Sequence, residues 1–139
     1  MQNKLNTCEP EPIAVFAIVS YEPLYRLAWL VNQQLEWKLT ESETINVMNK
    51  EHTVIQQFFS FAWRDAETGA AYNLIQNKGA QGPFDSTMKA IDYWLRIENV
   101  SDVGSILAEL KKINGIQMVQ EIKPTDLKKT SPVFRNPLN

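Results

Sequence analysis

Residues 91–122 read IDYWLRIENVSDVGSILAELKKINGIQMVQEI, a strand, a helix and a second strand in succession. At the start, Ile91, Tyr93, Leu95 and Ile97 share one side, while Asp92, Trp94, Arg96 and Glu98 share the other. That is the period of two of a β-strand. From Ser101 the period changes: Val103, Ile106, Leu107, Leu110 and Ile113 recur at three- and four-residue steps and make one apolar helical stripe. Ser101 suits the N-cap, Asp102 the positive helix start, Lys111 and Lys112 the negative end, and Asn114-Gly115 the stop. IQMVQEI then runs as a strand until Pro124.

A similar unit opens the chain. IAVFAIVS, residues 13–20, is a near-continuous apolar run that suits a central strand covered on both faces. Ser20 is the expected cap of the next helix, with Pro23 in its first turn. In that helix Leu24, Leu27, Leu30, Val31 and Leu35 make the buried stripe. Tyr21, Tyr25 and Trp29 make a second stripe, suited to border the core or to line a pocket. Between the two units, EWKL (36–39) predicts a short strand and residues 41–52 are polar and irregular. HTVIQQFFSFAWRD (52–65) predicts one long strand with Ile55, Phe59, Phe61 and Trp63 on a face. DAETG turns it into AAYNLIQN (70–77), and KGAQGP is a loop.

The predicted order is therefore β-α-β-β-β-β-α-β. Right-handed crossovers place both helices on one face of a mostly antiparallel sheet. The expected fold class is α+β, a two-layer sandwich of ferredoxin-like order with an extra strand. Its other face, carrying Trp94, is expected to be partly open and available as an interface. Residues 12–123 are read as a single domain, 1–11 as a disordered N-terminus and 124–139 as an extended, basic, proline-containing tail.

Composition narrows the function. A chain of 139 residues with 44% hydrophobic and 22% charged residues can build an ordinary core without staples. The net charge of −2 argues against a nucleic-acid binder. No apolar run approaches the roughly 20 residues that span a bilayer. The start, MQNKLNTCEPEP, lacks the pattern of a signal peptide, so a cytoplasmic location without membrane association is expected. Cys8 is the one cysteine, which excludes a disulfide framework and a cysteine zinc cluster. Lys123, Lys128, Lys129 and Arg135 make the tail basic; it reads as solvated or resting on the acidic body, with an anionic partner as the sharper reading.

Catalytic chemistry is hard to assemble from these residues. His52 is the single histidine, without a ligand partner at metal spacing, so neither a metal site nor a cofactor is expected. NKGAQGP carries neither a P-loop nor a dinucleotide pattern. Glu41/Glu43 and Asp65/Glu67 read as solvated turn acids. What remains is a polar set beside core elements: Arg26, Asn32, Asn77, Lys78, Asp92 and Arg96. For Asp92 the plainer reading is an ion pair with Arg26, Lys78 or Arg96, or a hydrogen bond to loop backbone. The sharper one is a ligand pocket beside aromatics.

YRLAWLVNQQL, FAWRD followed by YNLIQNKG, and IDYWLRI, in that order, resemble the IPExxxVDY family of small bacterial proteins. The resemblance spans about residues 13–122. Ile91, Asp92 and Tyr93 match the Val-Asp-Tyr half of its motif, with Ile for Val. Asp85, Ser86 and Thr87 stand at the Ile-Pro-Glu half and none matches, so a role for that glutamate would be absent here. The resemblance implies no activity; it supports the domain's extent and singles out Asp92. The function expected from all this is a non-enzymatic protein-association domain, as a homodimer or with a protein partner, with Trp94 at the interface. The alternative is a small-molecule sensing domain resembling the ACT type, on the pattern of residues 91–122 with Asp102-Val103-Gly104 opening the helix.

Overall fold

The computed structural model describes residues 13–48, 50–79, 82–85 and 88–123. The readings of residues 1–11 and 124–139 lie outside the described residues. The elements are β1 (Ile13–Val19), α1 (Leu24–Leu35), β2 (Thr40–Glu41), β3 (Ile45–Met48), β4 (Val54–Phe58), β5 (Ser60–Arg64), β6 (Ala71–Gln76), β7 (Tyr93–Glu98), α2 (Val103–Leu110) and β8 (Met118–Ile122). The fold is α+β, with a six-stranded sheet in the order β2-β5-β6-β7-β1-β8 and a separate β3–β4 hairpin. Every strand pairing is antiparallel.

The apolar run of β1 has a clear physical cause. It pairs with β7 on one side and β8 on the other, and both of its faces are covered. Phe16 and Ile18 join the core beneath the helices, whereas Val15 and Ala17 join a second core on the opposite face. Each large side chain fully buried in this way contributes on the order of 1.5–3 kcal/mol. Both helices contribute to the same core: Leu27, Ala28 and Val31 from α1, Ile106 and Leu110 from α2. The two helices thus lie on one face of the sheet, and their apolar stripes pack inward as the periodicity predicts.

The second face departs from expectation. It is covered by the β3–β4 hairpin, through Ile45, Val47 and Phe58, and by the connection before β7, through Phe84, Met88 and Ile91. Trp94 is fully buried at this second core, so the open two-layer face that would have exposed it is replaced by a third, partial layer.

The element order is corrected with it. Residues 41–52 contain β3, and the predicted long strand 52–65 is two strands of different sheets. The chain breaks at exposed Phe59, between buried Phe58 and buried Ser60, and so passes from the hairpin into the main sheet. EWKL is not a strand: Glu36 ends α1 in the left-handed conformation, and the strand begins at Thr40. Trp37 packs on Tyr72 with ring centroids 3.9 Å apart. Two cap assignments also shift. Pro23 occupies the N-cap of α1, and Asp102, not Ser101, caps α2 by accepting from the Ser105 amide at 3.2 Å.

Candidate functional site

The densest polar arrangement lies where β6 ends and β7 begins. Asn77 follows β6 and is fully buried. Its backbone N–H donates to the Asp92 carbonyl at 2.9 Å and its carbonyl accepts from Phe84 at 2.6 Å. Its side chain uses all four of its bonding positions. Nδ2 donates to the carbonyls of Ile91 (2.8 Å) and Met88 (3.3 Å); Oδ1 accepts from Trp94 Nε1 (2.7 Å) and from the Asp85 amide (2.9 Å). One carboxamide therefore ties the β6–β7 connection onto the second core. Gly79 lets that connection lie close to β4: a Cβ there would fall 2.8 Å from Cε1 of the buried Phe58 ring.

Asp92 works toward the neighbouring elements. Its amide donates to Ile18 at 3.0 Å. Its Oδ2 accepts from the Ser20 amide at 2.9 Å and its Oδ1 sits 2.9 Å from Lys78 Nζ. Ser20, expected as a helix cap, instead donates through Oγ to the Gly115 carbonyl at 2.5 Å and accepts from the Glu22 amide at 3.1 Å. Tyr93 donates its hydroxyl to the Glu22 carbonyl at 2.5 Å. The Gln117 amide donates to Val19 at 2.9 Å, and Gln117 Oε1 accepts from the Tyr21 amide at 3.1 Å. Asp92 and Tyr93 thus pin the β1–α1 turn, and that turn in turn holds the loop before β8.

Of the polar residues singled out in the sequence, the fold joins Asn77, Lys78 and Asp92 and separates the other three. Asn32 closes a reciprocal pair with the Leu39 backbone, donating to its carbonyl at 3.0 Å and accepting from its amide at 2.9 Å. Arg26 lies over the Trp29 ring, 4.8 Å from its centroid. Arg96 is buried with Nη1 3.4 Å from Glu98 Oε2; burial lowers its pKa while Glu98 raises it. Ser20, Tyr93 and Gly115 belong to the junction but carried no signal of it. Most of their partners lie far away in sequence: the Asp92 carboxylate and the Gly115 carbonyl for Ser20, and the Glu22 carbonyl for Tyr93.

Chemically, the junction is occupied by its own bonds. The carboxylate of Asp92 and the amide of Asn77 are both engaged with donors and acceptors of the fold, an arrangement that fastens the β6–β7 connection and the β1–α1 turn. Lys78 is largely solvated, so its ion pair is worth little, whereas the charge-assisted bond to the Ser20 amide is worth more. Asp92→Ala is expected to destabilise the fold by about 1–3 kcal/mol. Urea denaturation measures this, and an unchanged transition would assign Asp92 a role outside folding.

Tyr93 supplies a pH test. Its pKa is raised above the ordinary 10.0 by burial first, then by the charges of Asp92 and Glu22. The folded state therefore holds this proton more tightly than the unfolded state. The resulting stability is complete below about pH 10 and is lost as pH rises through the folded value. Tyr93→Phe is expected to flatten the decline in melting temperature above pH 10, at a neutral-pH cost of about 0.5–1.5 kcal/mol for the lost hydrogen bond. An equal alkaline decline in both proteins would rule Tyr93 out as its source.

Among the described residues, no group of three or more His, Cys, Asp and Glu side chains could hold a metal ion, and no helix is long and apolar enough to cross a membrane. No protein-family model matches the chain, and no curated protein matches it.

Proposed function

We infer that the chain is a non-enzymatic association domain that presents the outer side of α1 to another protein. One observation carries this reading: Tyr25 and Trp29, one turn apart on α1, are 69% and 50% exposed, and Tyr21, expected on the same stripe but lying ahead of the helix, is 89% exposed. Rigid aromatics of this kind supply much of the energy of protein interfaces, and an exposed run of them marks a contact surface. Arg26 over Trp29 adds a cation to the same surface. The polar junction supports the reading from the other side, since its groups are taken up by the fold.

In the same reading the domain works in the cytoplasm, where the lone Cys8 needs no disulfide partner. The strands β8-β1-β7-β6, with α1 and α2 as crossovers, form its ferredoxin-like core, and β2 to β5 are an insertion into it. The likeness to the IPExxxVDY family belongs to this proposal as well. The bonds of Asp92 to Ser20 and of Tyr93 to Glu22 give the Asp-Tyr pair of that motif a physical task. The sensing alternative has less behind it, because both oxygens of Asp102 are occupied by Ser105, at 3.2 Å and 2.7 Å.

The test is affinity capture with the full chain and with a Tyr25→Ser/Trp29→Ser variant of equal thermal stability as baits. Proteins retained by the first and lost by the second are then purified and titrated directly. A reconstituted complex that the double variant weakens supports the reading. Identical captures from both baits would sink it.

A further inference from the structure

Among the described residues the six-stranded sheet ends at two unlike edges. One is β2, only Thr40 and Glu41, both exposed. The other is β8, whose five residues pair with β1 in an unbroken register. Alternate N–H and C=O groups of an edge strand point away from its one partner. Natural edges are shielded by shortness, charge, proline, a bulge or a covering segment. Within β8 the single charge is Glu121, and the strand carries neither a proline nor a bulge.

The helix above this edge points the same way. Gln34 Nε2 of α1 donates to Glu109 Oε1 of α2 at 2.8 Å, which fixes the side of α2 that faces α1. At 3.6 residues per turn the opposite flank carries Gly104, Leu107 and Lys111. Because α1 crosses from β1 toward β2 and α2 crosses from β7 to β8, that flank stands above the β8 edge. Among the described residues nothing requires a glycine at position 104. Its backbone is outside the left-handed region, and a Cβ there would meet nothing nearer than Asp102 Oδ1 at 4.0 Å. A helical glycine costs stability relative to alanine, and here it leaves the exposed flank of α2 without a side chain.

We propose that β8 pairs antiparallel with β8 of a second copy of this chain, about a twofold axis at Gln120, joining two sheets into one. The inference rests on the association reading and adds a second, separate surface to it: Tyr25 and Trp29 lie on the side of α1 opposite Gln34, away from α2, so the pairing leaves them free. The strand is self-complementary in this register. Met118 of one copy faces Ile122 of the other on the second face, and the two Gln120 amides meet on the axis. Glu121 of one copy comes beside Val119 of the other, on the face that α2 packs against, and Lys111 at the C-cap of that helix carries the opposite charge. An axis at Glu121 would instead set two carboxylates directly opposite. Gly104 leaves room for the two α2 flanks to approach.

Light scattering coupled to size exclusion, on the full chain at several concentrations, tests this. The expected result is the mass of two chains for the wild type and for Tyr25→Ser/Trp29→Ser. Gln120→Lys and Gly104→Leu are expected to give the mass of one chain with helix and sheet content retained by circular dichroism. In a Cys8→Ser background, Gln120→Cys is expected to cross-link between copies on oxidation and Glu121→Cys is not, because only residue 120 faces itself. A wild type that is monomeric at every concentration overturns the pairing and leaves the α1 reading to its own capture experiment. A dimer that survives Gln120→Lys but is lost in the stripe variant overturns it too, and assigns the second copy to α1.

Discussion

Asn77→Ala is expected to lower the unfolding free energy by about 3–5 kcal/mol, a large share of the stability of a single domain. Four groups lose a bond at once: the carbonyls of Ile91 and Met88, the Asp85 amide and the Trp94 indole N–H, of which the Met88 carbonyl keeps the Ile91 amide. The site is closed to solvent, so water does not replace the lost bonds without opening the layer. The single-bond figure of about 1–3 kcal/mol does not multiply by four, because the connection relaxes once its tie is cut. Urea denaturation followed by tryptophan fluorescence reads the loss. A shift below about 1 kcal/mol would show that the β6–β7 connection is held by its apolar contacts alone.

Trp94→Ala is expected to cost about 3–5 kcal/mol. Trp94 is fully buried and its indole stands in the second core with Val15, Ala17, Phe58, Ile75, Phe84 and Ile122. Removing it leaves a cavity shared by the sheet, the hairpin and the connection, and also frees Asn77 Oδ1. The two substitutions act on one hydrogen bond, so the double variant is expected to lose less than the sum of the singles. Additive losses would show the indole–amide bond to be energetically silent. A small loss from Trp94→Ala alone would mean that the hairpin layer is not packed on this face in solution.

The sequence made the helices legible because an amphipathic period survives any change of partner. Leu24, Leu27, Leu30, Val31 and Leu35 all reach the core that Val103, Ile106, Leu107, Leu110 and Ile113 also reach. The strand β1 was legible for a related reason: an apolar run without alternation needs cover on both sides. The third layer was not. Ile45 and Val47 alternate over only four residues, in a stretch whose polar flanks hide them. The break at Phe59 leaves no mark in a run that alternates on both sides of it. For that reason Trp94 reads as an open face: what covers it comes from segments that show no local sign of doing so.

The polar junction divides in the same way. Asn77, Lys78 and Asp92 stand out in the sequence because polar residues beside strands call for partners. The partners themselves are mostly main-chain groups, which every residue type possesses equally. Nothing in the identity of Ser20 or Gly115 announces that the two meet. Of the expected stripe Tyr21, Tyr25 and Trp29, only Tyr25 and Trp29 lie on α1, because the helix starts at Leu24, and the period could not tell that they face outward.

The position of β1 has a consequence for how the chain is made. Strand β1 leaves the ribosome well before its two partners, residues 93–98 and 118–122. Until those segments emerge, Ile13–Val19 has no edge to join, while β5 and β6 can already pair across a short turn. During synthesis the most apolar strand of the domain therefore waits unpaired, which is when a chain is most open to aggregation and most in need of a chaperone. The sheet can close on both sides of β1 only after residue 122 is free.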